Sequence, residues 1–231
     1  MLLSRKGKDR SKSERVWLKS FHTFSFGEYY DENHMGFRSL RVINEDIVAP
    51  SRGFAPHSHD NMEILTYIIQ GELQHQDSTG CKVIIKQGDV QLMSAGSGII
   101  HSEYNASSEW PVHLLQIWVH PDKDNLTPAH YESTFPKKQG EPLHLLASKE
   151  GKDSSLQIHQ DVLLYRLNLV KNDSFAFLIN PNRFIWVQIV KGPVMINGNT
   201  LEAGDGLQVS AEKQLSFEAI QDTELLLFDL A

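Results

Sequence analysis

The chain has 231 residues, a mass of 26.2 kDa and a formal net charge of −7, enough for one large or two small domains. An acidic protein repels phosphate backbones, which disfavours direct binding to nucleic acid. No apolar run approaches the roughly eighteen residues of a membrane span, so we expect a cytoplasmic protein without a membrane partner. We also expect a monomer, although no sequence pattern determines the oligomeric state. The single Cys81 excludes an internal disulfide and a thiolate metal cluster.

The N-terminal residues 5–15 carry six Lys or Arg side chains, interrupted by acidic and hydroxyl residues. This pattern predicts a solvated arm. Beyond it, short apolar or alternating runs are separated by glycine, asparagine and proline about every ten residues, which predicts a mostly β chain. The predicted strands are 39–44, 62–70, 71–76, 82–85, 90–93, 112–119, 156–169, 184–190, 194–196, 206–209 and 224–229.

Residues 121–141 are rich in Pro, Lys, Asp and Asn and are predicted to be a linker. Thr127 and Pro128 could open one short helix or turn within it. We therefore expect two domains, residues 1–130 and residues 131–231.

An internal repeat supports two domains of one type. A strand, a glycine turn and a later Gly-Asp turn follow one another at Gly71 and Gly88 in the first half, and at Gly192 and Gly204 in the second. Both halves are thus predicted to share one β architecture.

Two pairs of potential metal ligands stand out between these anchors: His57 with His59, and His101 with Glu103. In an extended strand, residues two apart point to the same side. Three neutral imidazoles and one carboxylate suit a divalent first-row transition metal with positions open to substrate. Glu63 is an even number of residues beyond His57 and His59 and is expected to lie on the same strand face, so it is an alternative carboxylate, and spacing alone leaves this choice open.

Counting without gaps from the repeat anchors gives the corresponding positions of the second half. None of them carries a ligand side chain, so the second domain is predicted to lack metal. These positions are Leu178, Asn180, Phe217 and Ala219.

Residues 57–71 read H-x-H-x3-E-x7-G and residues 88–105 read G-x5-S-x-G-x-G-x2-H-x-E-x-N, which resembles the two signature motifs of the cupin superfamily. Residues 22–26, 36–42, 57–67, 93–103 and 115–119 resemble the pirin family more narrowly. The chain departs from the wider cupin pattern at Ser94, where proline is usual, and in a longer stretch from there to His101.

The resemblance implies an all-β bicupin, with two jelly-roll-like β-barrel domains in one chain. It implies metal binding by His57, His59, His101 and Glu103 in the N-terminal barrel, with Fe(II) expected and Zn, Cu, Mn, Ni or Co as other candidates. Glu63 then becomes a partner that orients a ligating imidazole, or an alternative catalytic base.

In several bacterial pirins the activity is that of a quercetin 2,3-dioxygenase. We therefore expect a small aromatic substrate and O2, opening of the flavonol ring and release of carbon monoxide. Glu103 or Glu63 is the candidate base for the enol proton. The alternative is a metal-binding, redox-sensitive regulator that acts through a protein partner without catalysis. A third hypothesis is a cupin enzyme acting on a small enolised ketone or a sugar.

Other side chains receive structural predictions. The remaining eight histidines are expected to have surface or packing roles. Phe24, Phe26, Tyr67 and Trp118 could line an aromatic pocket or belong to the core, and the sequence leaves both readings open.

Overall fold

Short β-strands make up most of the chain in a computed structural model that describes residues 1–137 and 140–231. The all-β prediction is confirmed, because the only helical segments in these residues are two 3-10 turns, Gly7–Asp9 and Lys152–Ser154. No helix in the described part of the chain is long and apolar enough to cross a membrane.

The strands are, in chain order, β1 (Leu2–Arg5), β2 (Ser11–Arg15), β3 (Leu18–His22), β4 (Leu40–Val48), β5 (Gly53–His59), β6 (Glu63–Gln70), β7 (Glu72–Asp77), β8 (Lys82–Lys86), β9 (Asp89–Ser94), β10 (Ile99–Asn105), β11 (Val112–Val119), β12 (Ala129–Thr134), β13 (Leu143–Ser148), β14 (Leu156–Gln157), β15 (Val162–Leu169), β16 (Ser174–Leu178), β17 (Phe184–Lys191), β18 (Val194–Ile196), β19 (Asn199–Leu201), β20 (Gly206–Val209), β21 (Gln214–Ala219) and β22 (Thr223–Leu230).

Each predicted strand has a counterpart, and β11, β18 and β20 have the predicted limits. The run 156–169 is divided, because β14 ends at Gln157 and β15 begins at Val162. Strands such as β10 and β21 were not delimited from the sequence, although their burial alternates as a half-buried strand requires.

Two local predictions are wrong. The basic N-terminal segment is not a free arm, because β1 pairs with β20 and β2 pairs with β3. The predicted linker contains a strand, because no helix or turn opens at Thr127 and Pro128, and β12 pairs with β9 from Ala129↔Ser94 to Thr134↔Asp89. In both places a sheet edge supplies hydrogen bonds that local sequence preference does not reveal.

The chain divides into two compact units. The N-terminal unit comprises residues 11–136 and 156–160, and the C-terminal unit comprises residues 1–10, 137–155 and 161–231. The limits expected from the sequence were 1–130 and 131–231. They differ from these units at residues 1–10, 131–136 and 156–160, and the expected boundary falls within β12.

Each unit consists of a larger and a smaller antiparallel sheet. In the N-terminal unit the larger sheet has the order β12-β9-β6-β11-β4-β3-β2 and the smaller has the order β5-β10-β7-β8. In the C-terminal unit the strands β1-β20-β17-β22-β15-β13 form the larger sheet and β16-β21-β18-β19 the smaller. This equivalence of order matches the internal repeat.

The repeat anchors are turns with positive φ. Gly71 (φ 83°) follows β6 as Gly192 (φ 77°) follows β17, and Gly88 (φ 92°) precedes β9 as Gly204 (φ 86°) precedes β20. Such conformations favour glycine because it has no Cβ. A Cβ at Gly192 would also collide with the carbonyl oxygen of Asp222.

Candidate metal centre and its cavity

The two predicted ligand pairs lie on adjacent strands of the smaller N-terminal sheet. β5 and β10 are antiparallel, with His57 directly opposite His101 and His59 opposite Ile99. Burial alternates along β10, so that His101, Glu103 and Asn105 share the inner face. The pairing shifts register between His101 and Glu103. Antiparallel register therefore assembles side chains that are more than forty residues apart in the sequence.

Gly53 permits the close approach of these strands beside Glu103. A Cβ at Gly53 would collide with the carbonyl oxygen of Glu103 and approach the Cα of Tyr104. A larger residue here would displace the segment of β10 that carries the carboxylate.

The structure brings together His57, His59 and His101. Their ring centroids are 4.4 Å apart for His57 and His101, 4.8 Å for His57 and His59, and 5.0 Å for His59 and His101. One ring nitrogen from each lies within 4.8 Å of the others. His57 donates its Nδ1 proton to the carbonyl oxygen of Ala55 at 2.8 Å, which leaves Nε2 as an acceptor facing the other two rings.

The electrostatics of this group fit a cation. Burial, and then the neighbouring His57, lower the pKa of His59 to about 4. Burial followed by His57 and His59 lowers the pKa of His101 to about 2. The Nε2 atoms of His57 and His101 are 3.1 Å apart, and Nδ1 of His101 is buried without a hydrogen-bond partner among the described residues. Neutral imidazoles with converging nitrogens are the form that binds transition metals.

Glu103 lies on the inner side of this group and is 3% exposed. Nε2 of Gln116 donates to both carboxylate oxygens, at 2.9 and 2.7 Å, and the Thr66 hydroxyl lies 3.4 Å from Oε1. A carboxylate oxygen of Glu103 lies within 4.8 Å of ring nitrogens of His101 and His75. Burial raises the pKa of Glu103 to about 7, although the bonds from Gln116 and Thr66 act in the opposite direction.

Glu63 lies elsewhere. It begins β6 rather than extending β5, and alternation along β6 places it on the opposite face from Thr66. The Ser94 hydroxyl donates to its Oε2 at 2.9 Å, and the backbone N–H of His159 donates at 3.2 Å. The inference that Glu63 shares the strand face of His57 and His59 is therefore wrong.

A cavity of about 800 Å³ opens over the three histidines within the N-terminal unit. Phe26 and Trp118 line it in an edge-to-face pair at 5.3 Å, and Trp118 also packs against His59 at 4.9 Å. Phe24 and Tyr67 are not among its lining residues and are buried. Its aromatic walls are completed by further side chains: Trp17, Tyr29, Phe54 and Tyr104.

The cavity also has a buried polar wall that the sequence did not single out. Ser20, His22, Asn44, Asp46 and Gln116 line it. Asp46 is 3% exposed, and its Oδ1 has no hydrogen-bond partner among the described residues. Burial raises the pKa of Asp46 to about 6. The alternating pattern of β4 could have marked Asp46 as inward-facing, but only the sheet order shows which cavity it faces.

Two further histidines, the buried His75 and the partly buried His130, lie near the centre. His75 is fully buried and its Nε2 lies 2.9 Å from Oδ2 of Asp77, while the side chain of His130 is 5% exposed and stacks on His75 at 4.7 Å. Each precedes a carboxylate by two residues, Asp77 and Glu132. The same H-x-acid spacing that marked His101 could have identified them.

Comparison with known proteins agrees with this architecture. Residues 5–119 match the family model described as pirin, and residues 145–230 match that of the quercetinase C-terminal cupin domain. The quercetin 2,3-dioxygenase of Escherichia coli K12 is 46% identical over 230 residues, covering 100% of this chain and 99% of the relative. A pirin-like protein of Caulobacter vibrioides is 37% identical over 221 residues, covering 95% of each.

Solved structures give the same result. The bacterial pirin YhhW from Escherichia coli, crystallised in complex with nickel(II), superposes with a TM-score of 0.95 and 44% identity, covering 100% of this chain and 99% of that one. The fold, the repeated unit and full-length similarity to these relatives lead to one conclusion: the chain belongs to the pirin family and is an all-β bicupin.

Proposed function

We propose that this protein is a metal-dependent dioxygenase that opens the ring of quercetin-like flavonols with O2 and releases carbon monoxide. The observation that carries the proposal is the position of three histidines and a buried carboxylate beside an aromatic-lined cavity of about 800 Å³. Similarity to a quercetin 2,3-dioxygenase over the full chain supports it.

His57, His59, His101 and Glu103 would hold the metal. Their donor set of three imidazoles and one carboxylate gives a divalent ion a net charge of about +1, which favours an anionic oxygen ligand at an open position. Fe(II) is the ion we propose, and a nickel(II) complex of a relative shows that another first-row ion can bind a pirin. When bound, the metal supplies Lewis acidity and a redox centre between an enolised substrate and O2.

Glu103 is the group that we assign to the enol proton. Burial raises its pKa in the metal-free protein, which makes the carboxylate a stronger base, and its two oxygens are held by the Gln116 amide. Protonation would weaken one of these contacts and leave the other in place. Gln116 thus fixes the orientation of Glu103 in both states.

The cavity walls would orient a flat substrate. The rings of Phe26 and Trp118 offer perpendicular aromatic surfaces beside His59. On the polar wall, the unpaired Oδ1 of Asp46 can accept a hydrogen bond from a phenolic hydroxyl. A polyhydroxylated aromatic ligand satisfies both surfaces.

The test is oxygen-dependent loss of quercetin, with detection of carbon monoxide. Iron-reconstituted protein is compared with metal-free protein, with His101→Ala and with His120→Ala, which changes an exposed histidine. We expect turnover only in the reconstituted wild-type protein and the His120 variant. Tight iron binding without turnover would instead favour the regulatory alternative or another enolised substrate.

A further inference from the structure

A second group of potential metal ligands lies outside the proposed centre. Cys81 precedes β8, and His130 and Glu132 lie two residues apart on β12, so both side chains share one face. Sγ of Cys81 is 3.2 Å from Nδ1 of His130, which is 3.2 Å from Oε2 of Glu132. The three ligand atoms lie within 4.8 Å of one another.

The other nitrogen of His130 fixes the protonation of the ring. Nε2 is 3.1 Å from Oε1 of Gln91, a carbonyl oxygen that can only accept, so Nε2 carries the ring proton. Nδ1 therefore presents a lone pair to Cys81 and Glu132. Metal-bound histidines share this arrangement, because their second nitrogen donates to a carbonyl or carboxylate oxygen.

The contact between Nδ1 and Glu132 places two electron-pair donors 3.2 Å apart. One proton, that of the Cys81 thiol, is available between the three atoms, and it can satisfy only one contact. The His130 side chain is 5% exposed and cannot turn to water, whereas that of Glu132 is 45% exposed. A cation would satisfy all three groups at once.

From this geometry we infer that Cys81, His130 and Glu132 form a zinc site with one position open to solvent. Zinc prefers thiolate, imidazole and carboxylate ligands, and its bond lengths in a tetrahedral site separate neighbouring ligand atoms by about 3.3–3.6 Å. The 3.2 Å separations around His130 need only small adjustments. With one thiolate and one carboxylate the occupied site is neutral overall.

This site is connected to the proposed dioxygenase centre. Nε2 of Gln91 is 3.4 Å from the Thr66 hydroxyl, which is 3.4 Å from Oε1 of Glu103. A zinc ion on Nδ1 makes the Nε2 proton of His130 a stronger donor to Gln91. The zinc site is thus placed to influence Glu103, although zinc binding itself does not depend on the dioxygenase proposal.

The experiment is a Co²⁺ titration of metal-free, full-length protein, followed by absorption. Because Cys81 is the only cysteine, a near-ultraviolet thiolate-to-cobalt charge-transfer band can arise only there. We expect two bound ions and this band in the wild-type protein. His57→Ala should bind one ion and keep the band, and Zn²⁺ should abolish the band by displacement.

Matched variants identify the other ligands. Cys81→Ser should bind one ion without the band. Glu132→Gln should weaken the Co²⁺ affinity measured from the band at least tenfold, whereas Glu109→Gln, at another exposed position, should leave that affinity unchanged. Zn²⁺ should also slow alkylation of Cys81. Absence of the band at saturating Co²⁺ in the wild-type protein would overturn the inference, as would a band unaffected by both His130→Ala and Glu132→Gln.

Discussion

The two barrel units have the same sheet pattern, but the side chains in their interiors differ in polarity. In the N-terminal unit the inner face of β10 carries His101 and Glu103, and β11 of the larger sheet contributes the buried polar side chain of Gln116. In the C-terminal unit the inner face of β21 carries Phe217 and other apolar residues of a single large core. One architecture thus surrounds either a polar cavity or a packed core.

Pairs of residues on neighbouring strands show directly how apolar side chains in one unit replace polar side chains in the other. His101 on β10 is opposite His57 on β5, and Phe217 on β21 is opposite Phe175 on β16. Ungapped counting predicted Leu178 at the position of His57, but Leu178 is 73% exposed at the end of β16. The count fails because the connection between β5 and β6 in the N-terminal unit is shorter than the connection between β16 and β17 in the C-terminal unit.

Because the two interiors differ in polarity, we expect the C-terminal core to contribute mainly to stability and the N-terminal cavity mainly to chemistry. Burying an aromatic side chain contributes about 1.5–3 kcal/mol, whereas a buried polar group without a partner costs free energy. Such groups occur in both units, at His101, His75 and Asp46 in the N-terminal one and at Arg166, Asn168 and Gln188 in the C-terminal one. The C-terminal unit adds the apolar core around Phe217, which is expected to supply stability that the polar cavity does not.

Replacing a ligand should have the largest effect on function and a small effect on stability. We expect His101→Ala to reduce retained iron and flavonol turnover by more than about 100-fold, since even residues that only orient a ligand are worth 10–100-fold. Metal analysis and turnover after iron reconstitution measure this, and urea unfolding of the metal-free proteins measures stability. Unchanged iron retention would contradict the ligand assignment.

The converse change is Phe217→Ala in the C-terminal core. Phe217 is fully buried, so its removal should lower the free energy of unfolding by about 3–5 kcal/mol. Iron stoichiometry at low temperature should stay at the wild-type value. Leu178→Ala is the control, because an exposed substitution should change stability by less than about 0.5 kcal/mol. Loss of iron in the folded Phe217 variant would contradict the expectation that the C-terminal core affects stability without affecting metal binding.

Sequence patterns revealed the groups that are local and missed those that depend on strand order. The H-x-H and H-x-E spacings identified His57, His59 and His101, because alternation in a strand is a local property. Gln116 holds Glu103 only because β11 lies opposite β10 across the interior, and no local pattern indicates that contact.

The same limit explains the errors in the predicted linker and at the N-terminus of the chain. Residues 129–134 have a polar composition that suggested a linker, yet hydrogen bonding to the edge of β9 makes them a strand. Residues 2–5 pair with β20, about two hundred residues away. Non-local pairing of this kind overrides weak propensity.

Asp46 offers a pH-dependent test of the polar interior. Burial raises its pKa from 3.8 to about 6, so the neutral form favours folding, and this stabilisation is present below pH 3.8 and lost as the pH rises through 6. Asp46→Asn stays neutral throughout. The variant should therefore gain stability relative to the wild type between pH 4 and pH 8, by up to about 3 kcal/mol. Parallel pH profiles in urea unfolding would exclude this account.

Gln116→Leu tests whether the polar wall orients Glu103. The substitution keeps a similar volume but removes the amide that donates to both carboxylate oxygens. We expect a 10–100-fold loss of iron affinity, measured by competition with a chelator, because the carboxylate is no longer held toward His101. Gln76→Leu on the exposed face of β7 is the control. Equal iron affinity in both variants would mean that strand geometry alone, through the β5–β10 pairing, fixes Glu103, and the polar interior would then serve the substrate rather than the metal.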